Sequence, residues 1–296
     1  MHNNRIIISG ASGRLAKLLV ERIKSAEYIL LGRDIDKLNQ IYSACQNAKC
    51  YTYEDFINSN SCGKNFDMFI HCAFERSENT KKLCDSLNLT VNLLNALNKL
   101  NINNIINISS MSVYSSKEPN INNELENPAP SNFYGLAKYS SELLIQNICA
   151  KQKVVNIRLS ALAGSVYDKH ILSKFVKFAI ENKKIEIIGG SQNFCFMDYR
   201  DAIDALEIII NSNFEQSNTI YNIGNNLEIN IVDMAEAVIN EIKSTLEIDA
   251  ELILTSNDKF YFDYKLNADK FMKDFNWYPK YSLSNTISEI IESYRC

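Results

Sequence analysis

Arg5-Ile6-Ile7-Ile8-Ser9-Gly10-Ala11-Ser12-Gly13-Arg14-Leu15-Ala16 decides the fold. Arg5 to Ser9 is a continuous apolar run, the pattern of a strand buried on both faces of a parallel sheet. Lys17 to Ser25 then carries helical periodicity through Leu15, Leu18, Leu19 and Ile23. Strand, glycine turn and helix together form the setting of a phosphate-binding loop. Gly10 permits the tight turn, Gly13 lets the backbone approach a pyrophosphate at the helix N-terminus, and Ala16 keeps helix and sheet close. The glycine spacing alone is a weak signal. Between a strand and a helix it points to nucleotide binding rather than a plain turn.

Working outward, Tyr28-Ile29-Leu30-Leu31 reads as a second strand that ends in Gly32-Arg33-Asp34. An acidic residue at this place accepts from the 2'-hydroxyl of NAD, whereas an arginine pairs with the 2'-phosphate of NADP. Arg33 stands nearest the strand end, so NADP is expected, with NAD left open by Asp34; Arg14 could add a second positive charge. Phe66 to His71 reads as a strand followed by Cys72-Ala73-Phe74, Thr80 to Lys99 as a long helix, and Asn104 to Ile108 as a further strand. This alternation predicts an α/β fold with a doubly wound parallel sheet, whose ligands lie beyond the carboxyl ends of the strands. Ser9-Gly10 and Ser109-Ser110 fall at such ends. His71 ends a third, but its apolar neighbourhood reads as that of a packed, hydrogen-bonded core residue.

Tyr134-Gly135-Leu136-Ala137-Lys138 lies on a predicted helix from Asn132 to Cys149, with Ser131 as its N-cap. Four residues place Tyr134 and Lys138 one above the other. An ammonium one turn from a phenol can lower a pKa that is ordinarily ~10. Taken singly, such a pair is common on amphipathic helices; the surrounding motifs give it weight.

The 296 residues suffice for one large domain or two that share a border. At 46% hydrophobic and 22% charged residues, the composition is that of a soluble globular protein. A formal net charge of -4 provides no field for nucleic acid. No apolar run approaches the ~18 residues of a membrane span. Met1-His2-Asn3-Asn4 passes directly into a strand without the parts of a secretion signal, so a cytoplasmic location is expected. The cysteines (Cys45, Cys50, Cys62, Cys72, Cys84, Cys149, Cys195, Cys296) and histidines (His2, His71, His170) are scattered, so no metal site is expected and reduced thiols are the default. There is no internal repeat.

The glycine turn, Asp67-Met68-Phe69-Ile70-His71-Cys72-Ala73, Ile108-Ser109-Ser110-Met111-Ser112-Val113-Tyr114 and Tyr134-x-x-x-Lys138 follow one another in an order that resembles the extended short-chain dehydrogenase/reductase family, the NAD(P)-dependent epimerase/dehydratase group acting on nucleotide sugars. The likeness continues through Asn156-Ile157-Arg158-Leu159, Phe196-Met197-Asp198-Tyr199-Arg200-Asp201-Ala202, Tyr221-Asn222-Ile223-Gly224 and Phe275-Asn276-Trp277-Tyr278-Pro279. The resemblance implies a Rossmann-type doubly wound sheet from residues 1–160 and about 195–224, interleaved with a smaller C-terminal substrate-binding lobe from about 161–194 and 225–296. Elements near Phe196–Asn211 and Thr219–Ile223 would return to the sheet, and helices Ile231–Leu246 and Leu283–Tyr294 would pack by their aliphatic stripes.

The same resemblance makes Tyr134 the acid/base. Lys138 would hold the nicotinamide ribose and lower the Tyr134 pKa, and Ser110 would bond the reacting sugar oxygen. The cofactor-binding set becomes Gly10, Ser12, Gly13, Arg14, Leu15, Arg33, Cys72, Ala73, Tyr134 and Lys138. A fourth catalytic slot falls at Ser86, with Asn88 two residues on, and is left unassigned. The family's dehydratases carry Asp-Glu after the serine or threonine; here Met111-Ser112 stand there, and neither titrates usefully. The substrate-phosphate arginine is not evident before Phe196, where Phe194 sits. The expected function is therefore NADPH-dependent reduction of a nucleotide-linked 4-keto-6-deoxy sugar. A nucleotide-sugar epimerase is the alternative, and a non-catalytic dinucleotide-binding protein a second. Relatives often form homodimers through the two helices that correspond to Thr80–Lys99 and Asn132–Cys149.

Overall fold

The computed structural model describes residues 4–58, 65–116, 122–212, 219–255, 263 and 265–295; Met1, His2, Asn3, Cys62 and Cys296 lie outside them. In chain order the elements are β1 (Arg5–Ser9), α1 (Arg14–Arg22), β2 (Glu27–Gly32), α2 (Ile35–Ile41), β3 (Ala48–Thr52), α3 (Tyr53–Asn58), β4 (Asn65–His71), α4 (Thr80–Leu97), β5 (Asn101–Ser110), α5 (Phe133–Ile148) and β6 (Lys153–Leu159). There follow β7 (Ala161–Ala163), α6 (Ile171–Asn182), β8 (Lys184–Ile188), β9 (Asn193–Phe194), β10 (Phe196–Asp198), α7 (Tyr199–Ile210), β11 (Thr219–Ile223), β12 (Ile229–Asn230), α8 (Ile231–Leu246), β13 (Glu251–Thr255), α9 (Asp269–Phe275) and α10 (Leu283–Glu292).

Seven strands form a parallel sheet in the order β11-β6-β5-β4-β1-β2-β3, the expected doubly wound arrangement. The register pairs Ser9 with His71 and His71 with Asn107, so the carboxyl ends of β1, β4 and β5 finish side by side. Ile6, Ile7 and Ile8 have no exposed surface, as the run of isoleucines requires. Ile7, Phe69 and Ile105 of the sheet pack with Leu93, Leu94 and Ile145 of α4 and α5. Each such side chain contributes about 1.5–3 kcal/mol when fully buried.

The chain divides into two compact units. One comprises 1–114, 128–158 and 206–221; the other comprises 115–127, 159–205 and 222–296. The core of the second gathers α6, α8 and α10 around Val176, Met234, Val238 and Ile290. Thr219–Ile223 joins the large sheet as expected, but Phe196–Asp198 does not: it pairs with Ala161–Ala163 in a separate two-stranded sheet.

Two helix starts also differ from the periodicity. α1 begins at Arg14 rather than Lys17, because Gly13 is extended and the helix opens directly after it. α5 is capped by Asn132 rather than Ser131, with Asn132 Oδ1 accepting from the Gly135 amide at 2.7 Å.

Candidate active site

The glycine turn is shaped by what faces it. Gly10 has φ +71°, and a Cβ there would lie 2.8 Å from the Ala73 nitrogen and Cα, so a side chain is excluded twice over. The Gly13 amide donates to the Gly10 carbonyl at 2.8 Å, closing the turn. The N-cap of α1 is Gly13, which has no side chain with which to cap the helix. Beside the turn lies a cleft of about 600 Å³ lined by Gly10, Ser12, Gly13, Arg33, Cys72 and Ala73. These features fit a dinucleotide: a backbone that can come close, amides at a helix N-terminus, and room alongside. Arg14 and Leu15 open α1 and are not part of the cleft wall.

Tyr53, Phe74, Lys82 and Ser86 also line this cleft. Sequence reasoning passed over the first three. Tyr53 had a findable signal, since it directly follows β3, a parallel strand whose carboxyl end belongs to the ligand side. Ser86 accepts from the Glu75 amide at 3.1 Å and donates to the Lys82 carbonyl at 3.0 Å. Arg33 is exposed, while Asp34 caps α2 by accepting from the Lys37 amide at 3.0 Å.

Tyr134 and Ser110 come together from two elements. Ser110 ends β5 and Tyr134 sits in the first turn of α5, where the Ser110 hydroxyl acts on the Tyr134 phenol; Ser110 Oγ itself donates to Ser112 Oγ at 3.2 Å. Ser110 Oγ accepts from the Ser112 amide at 3.1 Å, which fixes its direction. Lys138 Nζ is buried and donates to the Ile108 carbonyl at 2.7 Å. The Phe74 ring joins the groups: its centroid is 4.2 Å from Lys138 Nζ and 6.4 Å from the Tyr134 ring, edge to face.

The electrostatics correct one expectation. Burial raises the Tyr134 pKa instead of lowering it, opposed by the Arg76 charge and the Ser110 hydroxyl. The Lys138 ammonium turns to the Ile108 carbonyl and the Phe74 face. Burial pulls Lys138 itself down to about 8, against the opposing influence of Cys72 and Glu142. The arrangement is therefore a protonated phenol beside a serine hydroxyl, which can deliver a proton to an oxygen in reach of both.

Two buried networks fix the strand ends. His71 Nδ1 is 2.8 Å from Ser9 Oγ, and its Nε2 is 2.9 Å from Thr90 Oγ1. The Thr90 hydroxyl donates to the Ser86 carbonyl, so the ring donates from Nε2 and accepts from Ser9. Burial, and secondarily the Lys138 charge, lowers His71 to about 3, which keeps it neutral as a core residue. Below α5, Arg158 pairs with Glu142 through contacts of 2.8 and 3.1 Å and donates to Tyr114 Oη at 2.9 Å, while Ser109 donates to the same carboxylate. Burial pushes the Cys72 thiol up to about 12, so it is a protonated wall residue. Among the described residues, no cluster of His, Cys, Asp and Glu is suited to a metal, the six cysteines are free thiols, and no helix is long and apolar enough to cross a membrane.

Comparison with known proteins adds the following. The profile of the NAD dependent epimerase/dehydratase family matches residues 6–224. The dTDP-D-glucose 4,6-dehydratase of Mus musculus is 29% identical over 174 residues, covering 56% of this chain and 48% of that protein. The chain thus spans about half the length of the curated relatives it matches. The structure of a UDP-N-acetylglucosamine 4-epimerase from Bacillus cereus superposes with a TM-score of 0.79 at 22% identity, over 99% of this chain and 97% of that one. A UDP-glucuronic acid 4-epimerase from Bacillus cereus, in complex with UDP-glucuronic acid and NAD, gives 0.82 at 18% identity, over 98% and 99%. At these identities the likeness to the solved structures is one of fold.

Proposed function

We propose, for a chain that belongs to the NAD dependent epimerase/dehydratase family, that it reduces the keto group of a nucleotide-linked 4-keto-6-deoxy sugar, carried on dTDP or GDP, at the expense of NADPH. The observation that carries this reading is the meeting of Ser110, at the carboxyl end of β5, with Tyr134 in the first turn of α5, and with Lys138 one helical turn further on. The dinucleotide, when bound, supplies the hydride. Tyr134 gives its phenolic proton to the oxygen that becomes an alkoxide. Ser110 donates a hydrogen bond to the same oxygen, and the Lys138 charge favours the negative charge developing there.

Two features support a net reduction. Arg33 lines the cleft while Asp34 is committed to capping α2, which favours a 2'-phosphate over a free 2'-hydroxyl. Met111 and Ser112 form the short turn after Ser110, so no carboxyl group follows the serine to remove water from a neighbouring carbon. The segments about 161–194 and 225–296 would supply the sugar-nucleotide lobe. Exposed Phe133, Leu136 and Leu143 along α5 would bury themselves in a homodimer.

Purified protein should oxidise NADPH faster than NADH with a dTDP- or GDP-4-keto-6-deoxyhexose, and Arg33→Ala should erase the preference. A nucleotide sugar that changes configuration with no net cofactor use would replace this reading with an epimerase. A Tyr134→Phe variant that binds cofactor and turns over at the wild-type rate would rule out the catalytic role of Tyr134.

A further inference from the structure

The wall of the dinucleotide cleft is balanced in charge: Arg33 and Lys82 face it against Glu75 and Asp85. Any preference for an anion must therefore come from a local arrangement of donors. One such arrangement is present at the first residue of α3. Tyr53 Oη accepts the Gly10 amide at 3.0 Å. A phenol has one proton to give and lone pairs to receive with. With a lone pair engaged by Gly10, the proton remains to be donated, and among the described residues no group accepts it. Tyr53 is part of the same cleft wall as Arg33 and Ser12. Burial raises the Tyr53 pKa, and the Gly10 amide and the Arg33 charge both oppose this, so the guanidinium field reaches the phenol.

We propose that Tyr53 is a specificity-determining residue for the dinucleotide: its hydroxyl, oriented by the Gly10 amide, donates to the adenosine 2'-phosphate of NADPH beside the Arg33 guanidinium. The inference rests on the NADPH reading above and deepens it, since it adds a neutral donor to the charge at Arg33. The chemistry is that of a phosphomonoester corner. A guanidinium gives charge and a fork of donors, and the phenol gives a directed hydrogen bond that a free 2'-hydroxyl, being smaller and uncharged, meets less strongly. The same hydroxyl ties the corner to the glycine turn, so the 2'-phosphate site and the pyrophosphate site are held by one side chain.

The test is equilibrium titration of the full chain, followed by fluorescence quenching, with four probes: NADPH, NADH, adenosine 2',5'-bisphosphate and AMP. Tyr53→Phe keeps the ring and removes only the hydroxyl. It should weaken NADPH and the bisphosphate about 10-fold and leave NADH and AMP within twofold. A similar loss for all four probes would overturn the proposal, because Tyr53 would then serve only to hold the Gly10 turn. No loss for any probe would overturn it as well. Failure of the NADPH reading is told apart in the wild type: there AMP would bind as tightly as the bisphosphate, and Arg33→Ala would change neither. The Arg33→Ala, Tyr53→Phe double variant adds a check that does not depend on turnover. If the two groups hold one phosphate, its loss of bisphosphate affinity differs from the product of the single losses. Independent, multiplicative losses would place the hydroxyl elsewhere.

Discussion

At the scale of single residues, Lys138 sets the working range in pH. Its pKa lies near 8 because burial disfavours the ammonium, with Cys72 and Glu142 only partly restoring it. Tyr134 is shifted the other way, so it holds its proton well past the point at which Lys138 loses its own. The value of kcat/KM reports groups of the free protein. Its alkaline limb should therefore fall with an apparent pKa of about 8. A profile flat to pH 10 would mean that the Lys138 charge is not required. The stability effect has the opposite sense. Between about 8 and the unfolded value near 10.4 the unfolded chain binds the extra proton, so stability rises with pH across that window. Tyr134 and Lys138 were legible as a pair from their spacing. The direction of the ammonium was not, because it is set by Ile108 and Phe74, which belong to other elements.

At the scale of elements, α5 is the part that brings the site together, and Gly135 is its point of contact with the turn after β5. A Cβ at Gly135 would run into the Ser112 carbonyl oxygen. Gly135→Ala should therefore displace the Met111–Val113 turn and with it Ser110, costing about 1–3 kcal/mol of stability. The measurements are thermal unfolding and kcat, and both should fall. A variant with unchanged kcat would show that Ser110 need not be held so closely. Further along, α5 is anchored by the Glu142–Arg158 pair, where breaking one partner costs about 3–5 kcal/mol. Element identity was readable because β1 is an apolar run and β4 and β5 carry apolar residues along strand-length segments between polar turns. Element ends were less so: Ser131 and Asn132 are equally good caps by composition, and only the chain's entry angle makes Asn132 the one that reaches the Gly135 amide.

At the scale of the whole molecule, the sheet is completed by a strand far along the chain. β11 lies beside β6 although 59 residues, from 160 to 218, separate the end of one from the start of the other. Alternating strands and helices made β1, β2, β4 and β5 legible, but not β3, which is only half-buried. The position of Phe196–Asp198 was not, since a three-residue apolar strand carries no signal for which sheet it joins. A chain cut after residue 158 would lack 206–221 and leave β6, with buried Val154, Val155 and Ile157, as an open edge. Such a fragment should form soluble aggregates on size-exclusion chromatography; a clean monomer would show that β6 tolerates exposure. The ribosome meets the same problem on every copy it makes. At about 5–20 residues per second, the intervening 59 residues take roughly 3–12 s to synthesise. For that interval the nascent sheet waits with its last edge unguarded.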